Sequence, residues 1–190
     1  METWLLPTML GLGLAAATGL RTFLPLLMLS AAAHFGLFGI ALGESFAWVG
    51  STGALVALAV ATAVELAADL IPVVDNALGV FGTFTRPIAA AIAAGAVFTD
   101  LGPSGAVIAG IIVGAPTALA FSAAQTGTRA ASTAGTAGLA NPVISVVEDV
   151  LSFFMVLVAF VLPLLIPVLL AFLLWFAWKG VRRVQALRRA

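Results

Sequence analysis

Eight charged residues lie within or beside the apolar stretches of this sequence. They are Arg21, Glu65, Asp69, Asp75, Arg86, Arg129, Glu148 and Asp149. One charge at the centre of a bilayer costs about 2.5–3.5 kcal/mol on insertion scales, so we expect these groups to face one another or water. Three arginines against five acids leave two negative charges, which a proton or another cation would compensate. The arginines could also bind phosphate or carboxylate, because guanidinium groups match those oxyanions.

Two of the acids lie on one face of a predicted helix. Glu65 and Asp69 are four residues apart, and Pro72 continues the same stripe. Like charges at that spacing repel, so one of them requires a cationic neighbour or a bound proton. Glu148 and Asp149 stand near the start of the last hydrophobic segment, where the dipole of a helix N-terminus also favours acids for structural reasons alone.

A short motif occurs twice. Thr18-Gly19-Leu20-Arg21 returns as Thr126-Gly127-Thr128-Arg129, and each copy precedes a hydrophobic segment that bears acids. Two weakly similar halves with glycine-broken apolar segments are typical of transporters built from inverted repeats, whose breaks line a site near the midplane of the bilayer. We therefore expect the hydroxyls of Thr18 and Thr126 at two such breaks. Because the match is short, chance similarity is the alternative.

The composition indicates that a membrane surrounds these groups. Of the 190 residues, 63% are hydrophobic and 8% are charged, whereas about 25% of the residues in soluble domains are charged. A bilayer span takes about 20 apolar residues, which allows at most about five or six spans in this chain. The predicted fold is an all-α integral membrane bundle of about five to six transmembrane helices with broken or re-entrant segments. If the motif is a true repeat, the bundle consists of two inverted repeats.

Five apolar stretches carry the predicted spans. They run from Leu5 to about Phe35, from about Ala47 to Val74, from Pro87 to Phe98, from Gly105 to about Ala124 and from Val143 to Trp178. The first and last are too long for one straight span, so we expect breaks at Ala17 to Thr22 and Pro25 in the first, and at Pro163 and Pro167 in the last. The predicted units are a transmembrane domain at 1–178, with repeat halves of about 5–100 and 104–178, and a basic tail at 179–190.

Small and polar residues mark two further features. The segment from Gln125 to Asn141 is rich in threonine, serine, glycine and alanine, and we interpret it as either a loop or the lining of a wet cavity. Gly110 and Gly114 form a small-xxx-small pair, which favours close helix packing. A dimer seam is the alternative at that pair, so a homo-oligomer is left open.

The end of the sequence carries positive charges without acids. These are Lys179, Arg182, Arg183, Arg188 and Arg189. The positive-inside rule places this tail in the cytoplasm, and Trp175 and Trp178 precede it as interfacial anchors. A topology anchor accounts for so short a basic segment better than nucleic-acid binding does, so we expect no nucleic-acid partner.

The residue types give little support to enzyme chemistry. The chain has no cysteine and a single histidine, His34, which excludes thiolate sites and leaves no histidine cluster for a metal. No nucleophile–base pair is visible, and the carboxylates lack a recognisable ligand spacing. We therefore expect no enzymatic activity, no cofactor and no metal, and a membrane enzyme ranks third among the alternatives.

Many of these residues belong to longer motifs. The motifs are Gly13-x-x-Ala16-x-Thr18-Gly19-x-Arg21-Thr22-Phe23-x-Pro25, Glu65-x-x-x-Asp69-x-x-Pro72-x-x-Asp75-Asn76, Arg86-Pro87, Thr128-Arg129 and Asn141-Pro142-x-x-Ser145-x-x-Glu148-Asp149. From about Gly11 to Pro163 the chain resembles the family catalogued as domain of unknown function 4126. One departure is Leu70, where we would expect a lysine. The resemblance implies a bacterial protein embedded in the cytoplasmic (inner) membrane, and it implies no particular activity.

The leading functional hypothesis is a small transporter or channel-like permease with a charged intramembrane site. Its partners would be the lipid bilayer and a small ion or anionic solute, and an acid would carry a coupling proton. The alternative is a non-transporting membrane factor that binds a lipid or a partner protein, in which the buried charges are salt bridges that fix helix packing. Replacing Arg21 or Glu65 separates the two, since the first hypothesis predicts lost flux with intact expression and the second a lower folding yield.

Overall fold

The fold is known from a computed structural model, which describes the backbone of residues 4–69 and 72–187, and their side chains outside positions 72–78, 80, 174, 177–178, 180–181 and 183–187. This part contains seven α-helices and no strand, which confirms the predicted all-α class. The helices are α1 (Leu5–Leu20), α2 (Leu24–Phe35), α3 (Thr52–Ala68), α4 (Pro72–Ala96), α5 (Gly102–Thr136), α6 (Asn141–Val161) and α7 (Ile166–Leu187). Short 3-10 turns lie between them at Leu37–Gly39, Glu44–Gly50, Thr99–Leu101 and Pro163–Leu165.

Two helices in the described part are long and apolar enough to cross a membrane by themselves. They are α5, taken with the turn before it (Thr99–Thr136), and α6. Glu44–Gly50 and α3 form a pair bent by 63°, which adds a third crossing if the pair is one span. Ile108 and Ile112 on α5 are among many large apolar side chains that remain exposed, as a surface in contact with lipid requires. These apolar helices are consistent with a membrane protein, with two or three candidate spans among the described residues.

Both long apolar stretches are broken where the sequence predicts. α1 ends just before Arg21, whose backbone is extended with φ of −135° and ψ of 123°. Pro25 lies in the first turn of α2, where a residue without a backbone N–H costs no hydrogen bond. The second break follows Val161, where Pro163 opens a short 3-10 turn before α7.

The polar segment that begins at Gln125 is helical as far as Thr136, so the loop alternative is wrong over that range, and only residues 137–140 form a turn. α5 continues without interruption through the second motif copy, Thr126–Arg129, which therefore does not mark a break. The hydroxyls of Thr126 and Thr128 donate to carbonyls one turn earlier in the same helix, at 2.9 and 3.0 Å. Because those bonds satisfy the hydroxyls locally and the surrounding alanines favour helix formation, the helix persists. α4 is likewise continuous across Pro87, where the sequence predicts the start of a separate stretch.

Close packing of α5 on α4 and α1 sets the position of the charged residues. Gly110 and Gly114 lie against the α4 backbone at Ala90 and Ala91, so closely that a Cβ atom on either glycine would overlap it. Gly19 meets α5 in the same way. The small-xxx-small pair thus serves packing within one chain. It holds the end of α1, the middle of α4 and the second half of α5 together, and α3 and α6 bring the acids to that place.

Candidate functional site

Arg21 stands at the break after α1, and its side chain is 2% exposed. It forms an ion pair with Asp69 at the end of α3 and another with Asp149 of α6, in which 2.6 Å separates Nε from Oδ1. Its Nη2 group donates to the Ser145 carbonyl at 2.7 Å and lies 4.0 Å from a carboxylate oxygen of Glu148. A buried guanidinium requires such partners. Arg21 therefore joins α3 and α6 to the break.

Glu65 closes the same break from the other side. One of its carboxylate oxygens accepts the backbone N–H of Thr22 at 2.8 Å, and the other accepts that of Phe23 at 3.0 Å. These N–H groups precede α2 and have no partner within the helix, and a negative charge at a helix N-terminus is favourable. Glu65 is therefore a cap for α2. Although Glu65 and Asp69 share one helix face as predicted, they have different partners.

Glu148 links α6 to α5. It accepts from Arg129 Nη2 at 2.8 Å and from Gln125 Nε2 at 2.7 Å. Arg129 also donates to the hydroxyl of Ser145 at 2.7 Å. Gln125 Nε2 lies 3.0 Å from the carbonyl of Leu20 as well, so this amide satisfies a backbone group at the end of α1. Gln125 was not among the predicted site residues, although its place four residues before Arg129 puts both side chains on one helix face.

Arg86 differs from the other two arginines because its described partners are neutral. It lies on α4, is 8% exposed, and donates through Nη1 to the hydroxyl of Ser122 at 3.0 Å and to the side-chain carbonyl of Gln125. Its Nε atom is buried without a hydrogen-bond partner. Within the described residues, each ion pair of a site arginine belongs to Arg21 or Arg129. Gly82 leaves room for this guanidinium, since a Cβ atom there would lie 3.1 Å from Arg86 Nε.

A cavity of about 900 Å³ lies against these groups. Its polar lining includes Arg86, Gln125, Thr126, Arg129, Thr133 and Asn141, and its apolar lining includes Phe23, Ala61, Val64 and Phe81. The cavity is of the size that holds small organic ligands in other proteins. The interpretation of Gln125 to Asn141 as a cavity lining is thus supported, and the loop alternative is not.

The structure gathers seven of the predicted site residues into one cluster. They are Arg21, Glu65, Asp69, Arg86, Arg129, Glu148 and Asp149. Thr126 lines the cavity, whereas Thr18 is buried and donates to the Leu14 carbonyl at 2.7 Å. The prediction of a break at Thr126 is wrong, because α5 is continuous there. Thr18 does lie in the last turn before the first break, with its hydroxyl bonded inside α1. The side chain of Asp75 lies outside the described residues.

Comparison with known proteins identifies the family. No curated protein and no solved structure matches the chain. One family model, described as a domain of unknown function (DUF4126), matches residues 8–183. That range holds both breaks, the cavity and every charged group of the cluster. The chain therefore belongs to the DUF4126 family, as its motifs predict.

Proposed function

We propose that this protein is a permease for an anionic solute and that Arg86 is the cation that contacts the solute. The observation that carries the proposal is a buried guanidinium that lines a cavity, has neutral described partners and keeps an unpartnered Nε atom. A cation at membrane depth that forms no ion pair is costly. An oxyanion in the cavity would form that pair and accept the remaining donors.

Arg21 and Arg129 have a different role in this proposal. Their charges are matched by carboxylates, so they hold the helices together and keep the acids ionised near the cavity. The described cluster holds three arginines and four acids, which leaves one negative charge for a coupling proton. Among the three acids that form ion pairs with these arginines, we assign the proton to Asp149, because its side chain is 26% exposed, against 9% for Asp69 and 7% for Glu148.

The membrane arrangement that fits this function has five or six crossings. α1 with α2 and α6 with α7 would be broken spans, each interrupted at its middle. Inverted repeats would then relate these two broken pairs rather than the two motif copies, since the second copy lies inside α5. Lys179 and Arg182 on α7 would place the C-terminus in the cytoplasm of a bacterium, with the protein in the inner membrane.

A specific observation favours the alternative of a non-transporting membrane factor. Arg21 forms ion pairs with acids of other helices, and Glu65 accepts two backbone N–H groups, as residues that hold helices together would. In that case the cluster fixes the fold, and a lipid or a partner protein is bound elsewhere. The two functions make different predictions for Arg86, because a purely structural role does not explain why its Nε donor has no hydrogen-bond partner.

Flux into proteoliposomes tests the proposal. Valinomycin lets potassium follow the anion, and light scattering reports vesicle swelling in the potassium salts of phosphate, butyl phosphate and butanesulfonate. Wild-type protein should speed the entry of at least one of these anions over protein-free vesicles. Arg86→Gln should abolish that flux. Arg182→Gln is the control, because it removes an exposed positive charge from α7.

The unfolding temperature of each variant decides between the two functions. Lost flux in Arg86→Gln with an unchanged unfolding temperature supports a solute contact. Lost flux that accompanies a loss of folded protein favours the structural alternative. Equal flux in wild type and Arg86→Gln, or no flux of the three anions in wild type, contradicts the proposal.

A further inference from the structure

The apolar part of the cavity is continuous with the outer surface of α3 and α4. Val64 on α3 and Phe81 on α4 line the cavity, yet they are 58% and 66% exposed. Val60, one turn before Val64, is 59% exposed, and Phe84 on α4 is 71% exposed. In a membrane protein such side chains contact acyl chains. One side of the cavity therefore meets the bilayer.

The described parts of α3 and α4 contact each other little. α4 packs mainly on α5, and α3 packs mainly on α2. The described residues thus do little to close the space between α3 and α4, where Val64 and Phe81 line the cavity.

The polar lining of the cavity is suited to an oxyanion. Arg86 belongs to that lining, its hydrogen-bond partners among the described residues are neutral, and its buried Nε atom has no partner. Glu65 and Asp69 also line the cavity, but their charges are engaged by the amides before α2 and by Arg21. An anionic head at Arg86 therefore meets a guanidinium that forms no ion pair with the described residues, while an attached apolar chain finds apolar walls.

We infer that the cavity binds a single-chain anionic amphiphile that enters from the bilayer between α3 and α4. Its oxyanion head binds Arg86, and its chain lies against Val64 and Phe81. The inference names the solute class of the proposed permease, and it rests on the same cavity and the same arginine. It does not depend on flux, because a cavity that only binds such a lipid would satisfy it.

Native mass spectrometry of the full chain in detergent tests this binding. The probe is dodecyl phosphate; dodecanol has the same chain without the charge, and inorganic phosphate has the same head without the chain. Dodecyl phosphate should bind in a single copy and more tightly than either. Arg86→Gln should weaken it about ten- to a hundredfold, because hydrogen bonds to a charged group are lost. Arg86→Lys, which keeps the charge, should retain most of the affinity if the protein folds normally.

A matched pair of variants tests the route between the helices. Val64→Trp places a large side chain at the cavity wall and should weaken dodecyl phosphate binding at least about tenfold. Val60→Trp places the same side chain one turn away on the same exposed face, outside the cavity lining, and should leave binding unchanged. Equal effects of the two variants overturn entry between α3 and α4.

Four other results bear on the inference. Dodecanol binding as tight as that of dodecyl phosphate overturns recognition by Arg86. Displacement of the probe by an equal concentration of inorganic phosphate overturns the need for a chain. Binding as predicted without flux of any anion supports the inference and contradicts the permease, whereas flux of small anions without dodecyl phosphate binding does the opposite.

Discussion

Glu65→Gln should destabilise the protein instead of acting on transport alone. Both carboxylate oxygens of Glu65 accept a backbone N–H, from Thr22 at 2.8 Å and from Phe23 at 3.0 Å. Glutamine has one acceptor oxygen, and its amide nitrogen is a donor. One of the two N–H groups would then face another donor, at unchanged side-chain size. The start of α2 would lose part of its cap and all of the capping charge.

The expected cost is the sum of two contributions. A hydrogen bond to a charged group contributes about 1.5–3 kcal/mol, and a negative charge at a helix N-terminus contributes about 0.3–1 kcal/mol. The free energy of unfolding should therefore fall by about 2–4 kcal/mol. At about 2–4 °C per kcal/mol for a chain of this length, the unfolding temperature should fall by about 4–16 °C.

Heating the purified protein in detergent, followed by chromatography of the fraction that stays folded, measures this change. Glu44→Gln is the control, because Glu44 is an exposed acid at the start of a short 3-10 turn. Flux or amphiphile binding per folded Glu65→Gln molecule should stay close to wild type. An unchanged unfolding temperature together with lost flux would refute the capping role and place Glu65 in the solute pathway.

Two glycine substitutions separate the cavity from the packing. Gly82→Ala should weaken anion binding several-fold without lowering the unfolding temperature. The added Cβ atom would lie 3.1 Å from Arg86 Nε and shift the guanidinium. Alanine favours the helix by about 1 kcal/mol over glycine, so a fall in the unfolding temperature together with weaker anion binding contradicts the prediction. Gly114→Ala should lower the free energy of unfolding by about 1–3 kcal/mol, because its Cβ atom would overlap the α4 backbone. Gly127→Ala is the control for both, since nothing lies within 4 Å of the added atom, and equal unfolding temperatures for Gly114→Ala and Gly127→Ala would refute close α4–α5 packing.

The sequence predicted well those features that follow from the cost of burying charge. The positive charge of Arg21 inside an apolar stretch requires acidic partners, and the structure pairs it with Asp69 and Asp149. The break beside it followed from glycine, an arginine and Pro25 in one short segment. The continuity of α5 could not be predicted in the same way. Threonine and glycine favour loops on average, but in this helix the hydroxyl of Thr126 bonds to a carbonyl one turn back.

The pairing of acids with arginines in the cluster could not be predicted from the sequence, for a different reason. Charge and spacing say that acids and arginines meet, but they do not say which acid binds which arginine. Glu65 looks like a partner for Arg21 and instead binds two backbone N–H groups, which every residue except proline has and which the sequence therefore does not single out. Only the direction in which α3 approaches the break decides between these outcomes.

Gln125 lies between Arg86 and Glu148 and explains why these two groups form no ion pair with each other. Its side-chain carbonyl accepts from Arg86, and its amide nitrogen donates to Glu148 and to the Leu20 carbonyl. No other orientation of the amide serves all three groups, because a carboxylate and a carbonyl require donors and a guanidinium requires an acceptor. A glutamate at this position would neutralise Arg86 and repel Glu148, whereas glutamine connects the two without cancelling either charge. The acidic part of the cluster and the proposed anion-binding part are thus adjacent yet separate, which is the arrangement that the proposed site for both a proton and an anion requires.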